Sequence, residues 1–209
     1  MEYPLVDINE VENTRDRILL AAVKLFAEKG YAAVTVKDLA ESVNVKPSAL
    51  YNHFKSKEII YDTIIESIEN VYLDFYNRVG KEIENANCFE DLLNALFGEL
   101  IEVYHMYVYY GVALISTEQF RSKHARHAFQ NVYMKAGIDY STKLFQASID
   151  RKWVKPFDAK CLSTFFMNNI LAGSLIRVQE DLGNETVYNV KDMFLALRRF
   201  MLNSVEIIE

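Results

Sequence analysis

A chain of 209 residues that is 51% hydrophobic and holds only 7 Gly and 3 Pro can bury a substantial core, yet it is too poor in turn formers for a sandwich or barrel. The formal charge of −6 speaks against a chain that is basic all over. The N-terminal residues form no signal peptide, and the longest near-apolar stretch, Val103 to Ile115, is 13 residues interrupted by His105, short of the roughly 18 needed for a bilayer span.

The charge is unevenly placed. Residues 1–57 hold 8 Lys/Arg against 8 Asp/Glu, so the whole excess of acid lies in residues 58–209. Within Val34 to Lys57, Lys37, Lys46, Lys55 and Lys57 outnumber Asp38 and Glu41. A small basic end on an acidic body focuses a polyanion onto that end. Cys88 and Cys161 lack the spacing of a zinc site and are expected as buried thiols in a reducing cytoplasm.

Ile18, Ala21, Ala22, Leu25 and Phe26 form the stripe of a first helix, capped by Asn13 or Thr14 and ended by Gly30. Thr35 is placed to cap a second, from about Val36 to Val43. Asn44 stands where a tight link needs positive φ, and Pro47 presets the first turn of a third helix. Val36 to Phe54 thus reads as helix, turn, helix, with Leu39, Ala40, Val43, Val45, Leu50 and Phe54 facing inward. Ser56 caps a fourth helix expected from Lys57 to Val79, ending at Gly80, along Ile60, Ile64, Ile68, Val71 and Phe75.

A capping box of Asn87 and Glu90 is expected to open a helix from Cys88 to Met106. Further helices are expected over Tyr107 to Ser116, Glu118 to Ile149, Asp158 to Glu180 and Val190 to Val205. The expected fold is therefore all-α, of about nine helices, with a head at residues 12–57 and a helical body at residues 58–209.

The third helix carries the chemistry. With Leu50 and Phe54 turned inward, Lys46, Pro47, Ser48, Ala49 and Asn52 face out and suit a major groove. Asn52 can pair with adenine, Lys46 can donate to guanine, and Pro47 or Ala49 can touch a thymine methyl. Thr35, Tyr51, His53, Lys55 and Lys57 flank that face as phosphate contacts, Thr35 and Lys57 at helix starts that already favour an anion.

The stretch Gly30 to Glu58, GYAAVTVKDLAESVNVKPSALYNHFKSKE, resembles the DNA-binding signature of the TetR family of transcriptional regulators. It has the Gly-Tyr-x-x-x-Thr entry and the Leu-Tyr-x-x-Phe-x-x-Lys close, and it departs from the family pattern where Asn44 replaces a usual Gly. The resemblance implies a homodimer on double-stranded, pseudo-palindromic operator DNA, paired through the last two helices. Phe165, Ile170, Gly173, Ile176, Phe194, Leu197 and Met201 are its expected interface, although core packing has the same apolar pattern.

The resemblance also implies a repressor released by a small effector held among the central helices. The aromatic middle of the chain suits an apolar, aromatic or cationic molecule. Its candidate lining is Glu102, Tyr104, Met106, Tyr107, Tyr110, Phe120, His124, Phe145, Phe166 and Asn169, and Glu99, Glu102 or Glu118 could balance a cation. A DNA-binding regulator without an effector is the alternative. Glu102 with His105 lacks the second copy that a di-iron site needs, and His124 with His127, one helical turn apart and able to share a metal, stand beside Lys123 and Arg126 on what reads as a solvated basic face. No phosphate loop, nucleophile elbow or HExxH points to an enzyme, and no cofactor is expected.

Overall fold

The computed structural model describes residues 13–103, 106–186 and 189–207. Among these residues there are nine helices and no strand beyond a single bridge between Val154 and Ile207. The elements are α1 (Thr14–Lys29), α2 (Val36–Ser42), α3 (Pro47–Leu50), α4 (Lys57–Asn85), α5 (Phe89–Val103) and α6 (Met106–Glu118). Then come α7, α8 (Ala159–Asp181) and α9 (Val190–Asn203). Helix α7 is an unbroken succession of Lys123–His127, a π-helical stretch Ala128–Ala136, and Gly137–Asp150.

The chain divides into two compact units, Met1–Asn70 with Tyr104–Phe129, and Val71–Val103 with Gln130–Glu209. In the first unit α1 lies at the centre. Its Ile18, Ala22, Val23 and Phe26 are fully buried, with Leu39, Leu50 and Ile64 among the other side chains of that core. Helix α6 packs on α1 and also crosses α4 closely at Gly111. A Cβ added there would stand 2.2 Å from Ile68 Cδ1, so only glycine permits the approach.

The second unit is built round aromatic rings. Phe145 meets Phe89, Phe157 and Phe166, and Phe97 meets Phe166 edge-on. Arg198 on α9 reaches Glu90 and Asn94 on α5. The carbonyls loosened by the π stretch of α7 are partly repaired by Tyr76, whose hydroxyl donates to the carbonyls of Val132 and Tyr133, both at 3.2 Å.

Several expectations are corrected. Helix α4 runs through Gly80 to Asn85, because one helical glycine costs only about 1 kcal/mol and buried Phe75, Tyr76 and Val79 hold that part of the helix. The cap of α5 sits one residue later than expected: Cys88 Sγ accepts from the Asp91 N–H, and the Asp91 carboxylate accepts from the Asn87 N–H. Glu118 ends α6, and Ser122 caps α7. Both cysteines are exposed, since each lies at the start of a helix outside its apolar stripe. Helix α8 is long and apolar enough by composition to span a membrane, but Phe166, Met167, Ile170 and Val178 are buried within its own unit.

Candidate nucleic-acid interface

Local chemistry fixes each part of the head. Thr35 and Asp38 form a reciprocal capping box at the start of α2: Thr35 Oγ1 accepts from the Asp38 N–H at 3.2 Å, and Asp38 Oδ2 accepts from the Thr35 N–H at 2.7 Å. These bonds hold the Asp38 carboxyl below its ordinary range, the Thr35 backbone first. Asn44 takes φ +57°, and the Val45 N–H closes back on the Ala40 carbonyl at 2.9 Å. Arg17 on α1 steadies this turn from outside by donating to the Val43 carbonyl at 2.8 Å.

Pro47 opens α3, and the backbone carries on in turns as far as Phe54, whose N–H donates to the Leu50 carbonyl at 3.0 Å. Leu50 and Phe54 are buried. Lys46, Pro47, Ser48, Tyr51, Asn52 and His53 are exposed, while Ala49 is half-buried. All the residues expected to read bases thus share one short segment, anchored through two side chains, and Ala49 offers only part of its surface. Arg15 is an addition that sequence reasoning missed: its guanidinium lies 4.8 Å from the Phe54 ring centre, beside the reading segment.

The start of α4 is more committed than expected. Lys57 Nζ donates to the carbonyls of Tyr31 and Val34 at 2.9 and 2.8 Å and stands 4.1 Å from the centre of the Tyr31 ring. One ammonium N–H is left for a phosphate, so Lys57 acts mainly as a staple. Thr35, Tyr51, Lys55 and Lys57 line a shallow groove of about 390 Å³ together with Glu58. Lys55 at this groove is exposed, as is Lys46 at the start of α3.

Tyr31 is the hub of this joint. Its ring sits 4.5 Å from that of Tyr61 and 5.3 Å from that of Phe26, and its hydroxyl donates to Glu58 Oε1 at 3.2 Å. Burial first, and the Glu58 carboxylate second, push the hydroxyl up to about 12. A raised value favours the neutral phenol in the folded state, so this contribution is whole below the ordinary value near 10 and is lost as pH climbs to about 12. Tyr31→Phe should therefore show a smaller fall in melting temperature than the wild type between pH 9 and pH 12; an equal fall would remove Tyr31 from the alkaline response.

The candidate effector residues are divided between the two units. Tyr104 and the neighbouring His105 lie outside the described residues, as do the side chains of Glu99 and Glu102. Met106, Tyr107, Tyr110, Phe120 and His124 belong to the first unit, and Phe145, Phe166 and Asn169 to the second. Phe120 is corrected outright: at 77% exposure it lines no interior. Tyr110 is buried with its hydroxyl 3.3 Å from Glu28. His124 meets Asp62 at 3.0 Å, and His127 meets Glu69 at 2.9 Å, so each histidine has its own carboxylate on α4. Asn169 donates to the Phe165 carbonyl and borders a surface groove with Met193 and Phe200. Glu118 is buried at the end of α6, where its carboxylate accepts from the Tyr31 N–H at 3.3 Å.

The expected protomer interface is corrected in the same way. Ile170, Gly173, Phe194, Leu197 and Met201 are buried inside the single chain. A Cβ at Gly173 would stand 2.6 Å from Met193 Cε, so these residues serve the seam between α8 and α9. Phe165 is 41% exposed and Ile176 half-exposed; the remaining outward apolar surface comes from Leu175, Leu195 and Phe200.

A trihelical head with a capped second helix, a positive-φ turn and a proline-initiated third helix defines the helix-turn-helix class of DNA-binding proteins. Residues 18–64 match the family model described as bacterial regulatory proteins, tetR family. Over those residues the chain carries the DNA-binding domain of the TetR family of transcriptional regulators. It is 31% identical over 118 residues to the biofilm operon icaADBC HTH-type negative transcriptional regulator IcaR of Staphylococcus epidermidis, which covers 56% of this chain and 62% of that one. The counterpart from Staphylococcus aureus strain Newman is 32% identical over 107 residues, covering 50% of this chain and 55% of that one. The chain thus spans less than two thirds of the length of these curated relatives.

Among solved structures, the ketosteroid transcriptional regulator KstR2 of Mycobacterium tuberculosis superposes with a TM-score of 0.72 at 18% identity, over 96% of this chain and 98% of that one. AibR in complex with isovaleryl coenzyme A and operator DNA gives 0.64 at 14% identity, over 90% and 97%. A regulator from Saccharomonospora viridis in complex with choline gives 0.66 at 19% identity, over 93% and 98%. At such identities the likeness is one of fold.

Proposed function

We propose that the chain is a repressor that binds a pseudo-palindromic operator as a homodimer in the cytoplasm and is released by a small apolar, aromatic or cationic effector. The observation that carries this reading is the outward row Lys46, Pro47, Ser48 and Asn52 on a segment locked from behind by Leu50 and Phe54. Rigid backing lets four adjacent side chains meet base edges without reordering. Negative regulation is supported by the staphylococcal relatives, which are negative transcriptional regulators, and response to a small molecule by structural neighbours that hold isovaleryl coenzyme A or choline.

Base reading and phosphate contact fall to different residues. Asn52→Ala should lower affinity for a duplex selected from a random pool by about 1 to 3 kcal/mol and relax the preference at one base pair. Lys55→Ala should weaken selected and mixed-sequence duplexes alike and flatten the salt dependence. With Lys55 and the remaining N–H of Lys57 on phosphates in each of two protomers, the log–log salt slope should be about −4. Anisotropy titrations at several salt concentrations measure all three quantities, and identical behaviour of the two variants on both duplexes would sink the division of labour.

A further inference from the structure

Helix α6 ends on Glu118, the one charged residue that is buried among the described residues, at 6% exposure. Among those residues no lysine, arginine or histidine forms an ion pair with it. Its carboxylate accepts a 3.3 Å bond from the Tyr31 N–H and lies 3.9 Å from where a Cβ at Gly30 would stand. A charged side chain at a buried position departs from ordinary packing practice, and such departures collect at residues kept for a task.

The position of the bond suggests the task. The segment Tyr31 to Val34 is the joint through which α1 delivers the chain to α2, and Thr35, the cap of α2, follows it directly. From one side Lys57 and Glu58, in the first turn of α4, hold this joint by the Tyr31 and Val34 carbonyls and the Tyr31 hydroxyl. From the other side Glu118 holds it by the Tyr31 N–H. Positive φ at Gly30, +81°, makes the entry to the joint a backbone bend rather than a continuation of helix.

Helix α6 is a suitable lever. It is pressed against α4 at Gly111 and tied to α1 through the Tyr110 hydroxyl and Glu28. Tyr107 and Glu118 are eleven residues apart on one helix, about 16 Å. At 3.3 Å the Glu118 bond is already long, and a displacement of a few tenths of an ångström takes it past the limit of a hydrogen bond.

We propose that Glu118 is the positioning residue that couples α6 to the reading head: its carboxylate sets the Tyr31–Val34 joint, and through it the placement of α2 and α3. The residue touches no DNA; it acts through the Tyr31 backbone.

The test compares Glu118→Gln, which keeps an oxygen acceptor, with Glu118→Leu, which keeps the bulk and removes it. Three readouts are taken on the full chain: amide hydrogen exchange at Tyr31–Val34, the melting temperature, and anisotropy with a selected and a mixed-sequence duplex. Glu118→Leu is expected to melt no lower than the wild type, yet to exchange the joint amides several-fold faster and to bind the selected duplex about three- to tenfold more weakly, the worth of one hydrogen bond. Mixed-sequence binding should not change, and Glu118→Gln should restore exchange and affinity. A purely structural role would lower stability and both affinities together, and that result would overturn the proposal, as would unchanged exchange at Tyr31. If the wild type ignored every duplex at low salt, the repressor reading would fall, and the exchange measurement alone would decide the fate of Glu118.

Discussion

Replacing Phe165 and Phe200 together by aspartate should leave the protein monomeric and reduce its affinity for a two-half-site duplex by about 100-fold or more. The two rings lie 4.9 Å apart on α8 and α9, 41% and 49% exposed, with Leu195 and Leu175 also turned outward. An apolar surface shared by two adjacent helices marks an interaction site rather than scattered exposure. If two protomers meet there, the second head binds DNA as an intramolecular event, and avidity of 10² to 10⁴ disappears when the protomers part. Because both side chains are largely exposed within the chain, the change should spare the fold of each unit. Light scattering after gel filtration gives the oligomeric state and anisotropy the affinity; a doubly substituted protein that stayed dimeric would place the interface elsewhere.

Gly111→Val should destabilise the first unit by about 3 kcal/mol, within the upper range for overpacked cores. The added Cβ would stand 2.2 Å from Ile68 Cδ1 and 2.6 Å from its Cγ1, and Ile68 is itself buried with little room to swing. For a chain of this size the loss corresponds to a fall in melting temperature of roughly 6 to 12 °C. Shortening the opposing side chain in Gly111→Val/Ile68→Ala should recover part of it, because the two changes offset in volume. If the double variant melted below the single one, the clash would not be the cause.

Much of the head was legible because each of its parts is dictated locally. Thr35 caps, Asn44 accepts positive φ, Pro47 starts a helix, and Leu39, Leu50 and Phe54 face one core whatever lies beyond them. Features that depend on partners distant in sequence were hidden. Nothing in the composition tells Phe194 and Leu197, consumed inside the chain, from Phe165 and Phe200, left outside, because both sets obey the same helical period. Lys57 looked like a phosphate contact because it opens a helix, yet its ammonium is drawn 26 and 23 residues back to two carbonyls. Glu118 read from the sequence as a carboxylate that could balance a cation, and only the fold brings it to an amide 87 residues away. Arg15 gave a weak signal: a cation beside the first helix, without a stated target until Phe54 was placed beneath it.

The π-helical stretch Ala128–Ala136 has a consequence for how this protein can change over evolutionary time. Each residue inserted into a regular helix rotates all that follows by about 100°, which would turn the stripe of Leu144 and Phe145 off its core. A loosened turn absorbs such a surplus within itself, so the halves of α7 can keep separate phases. Tyr76, by donating to the carbonyls that the loosening frees, acts as the tolerance in the fitting. Loss of one residue here should be among the few deletions in a long helix that the protein survives.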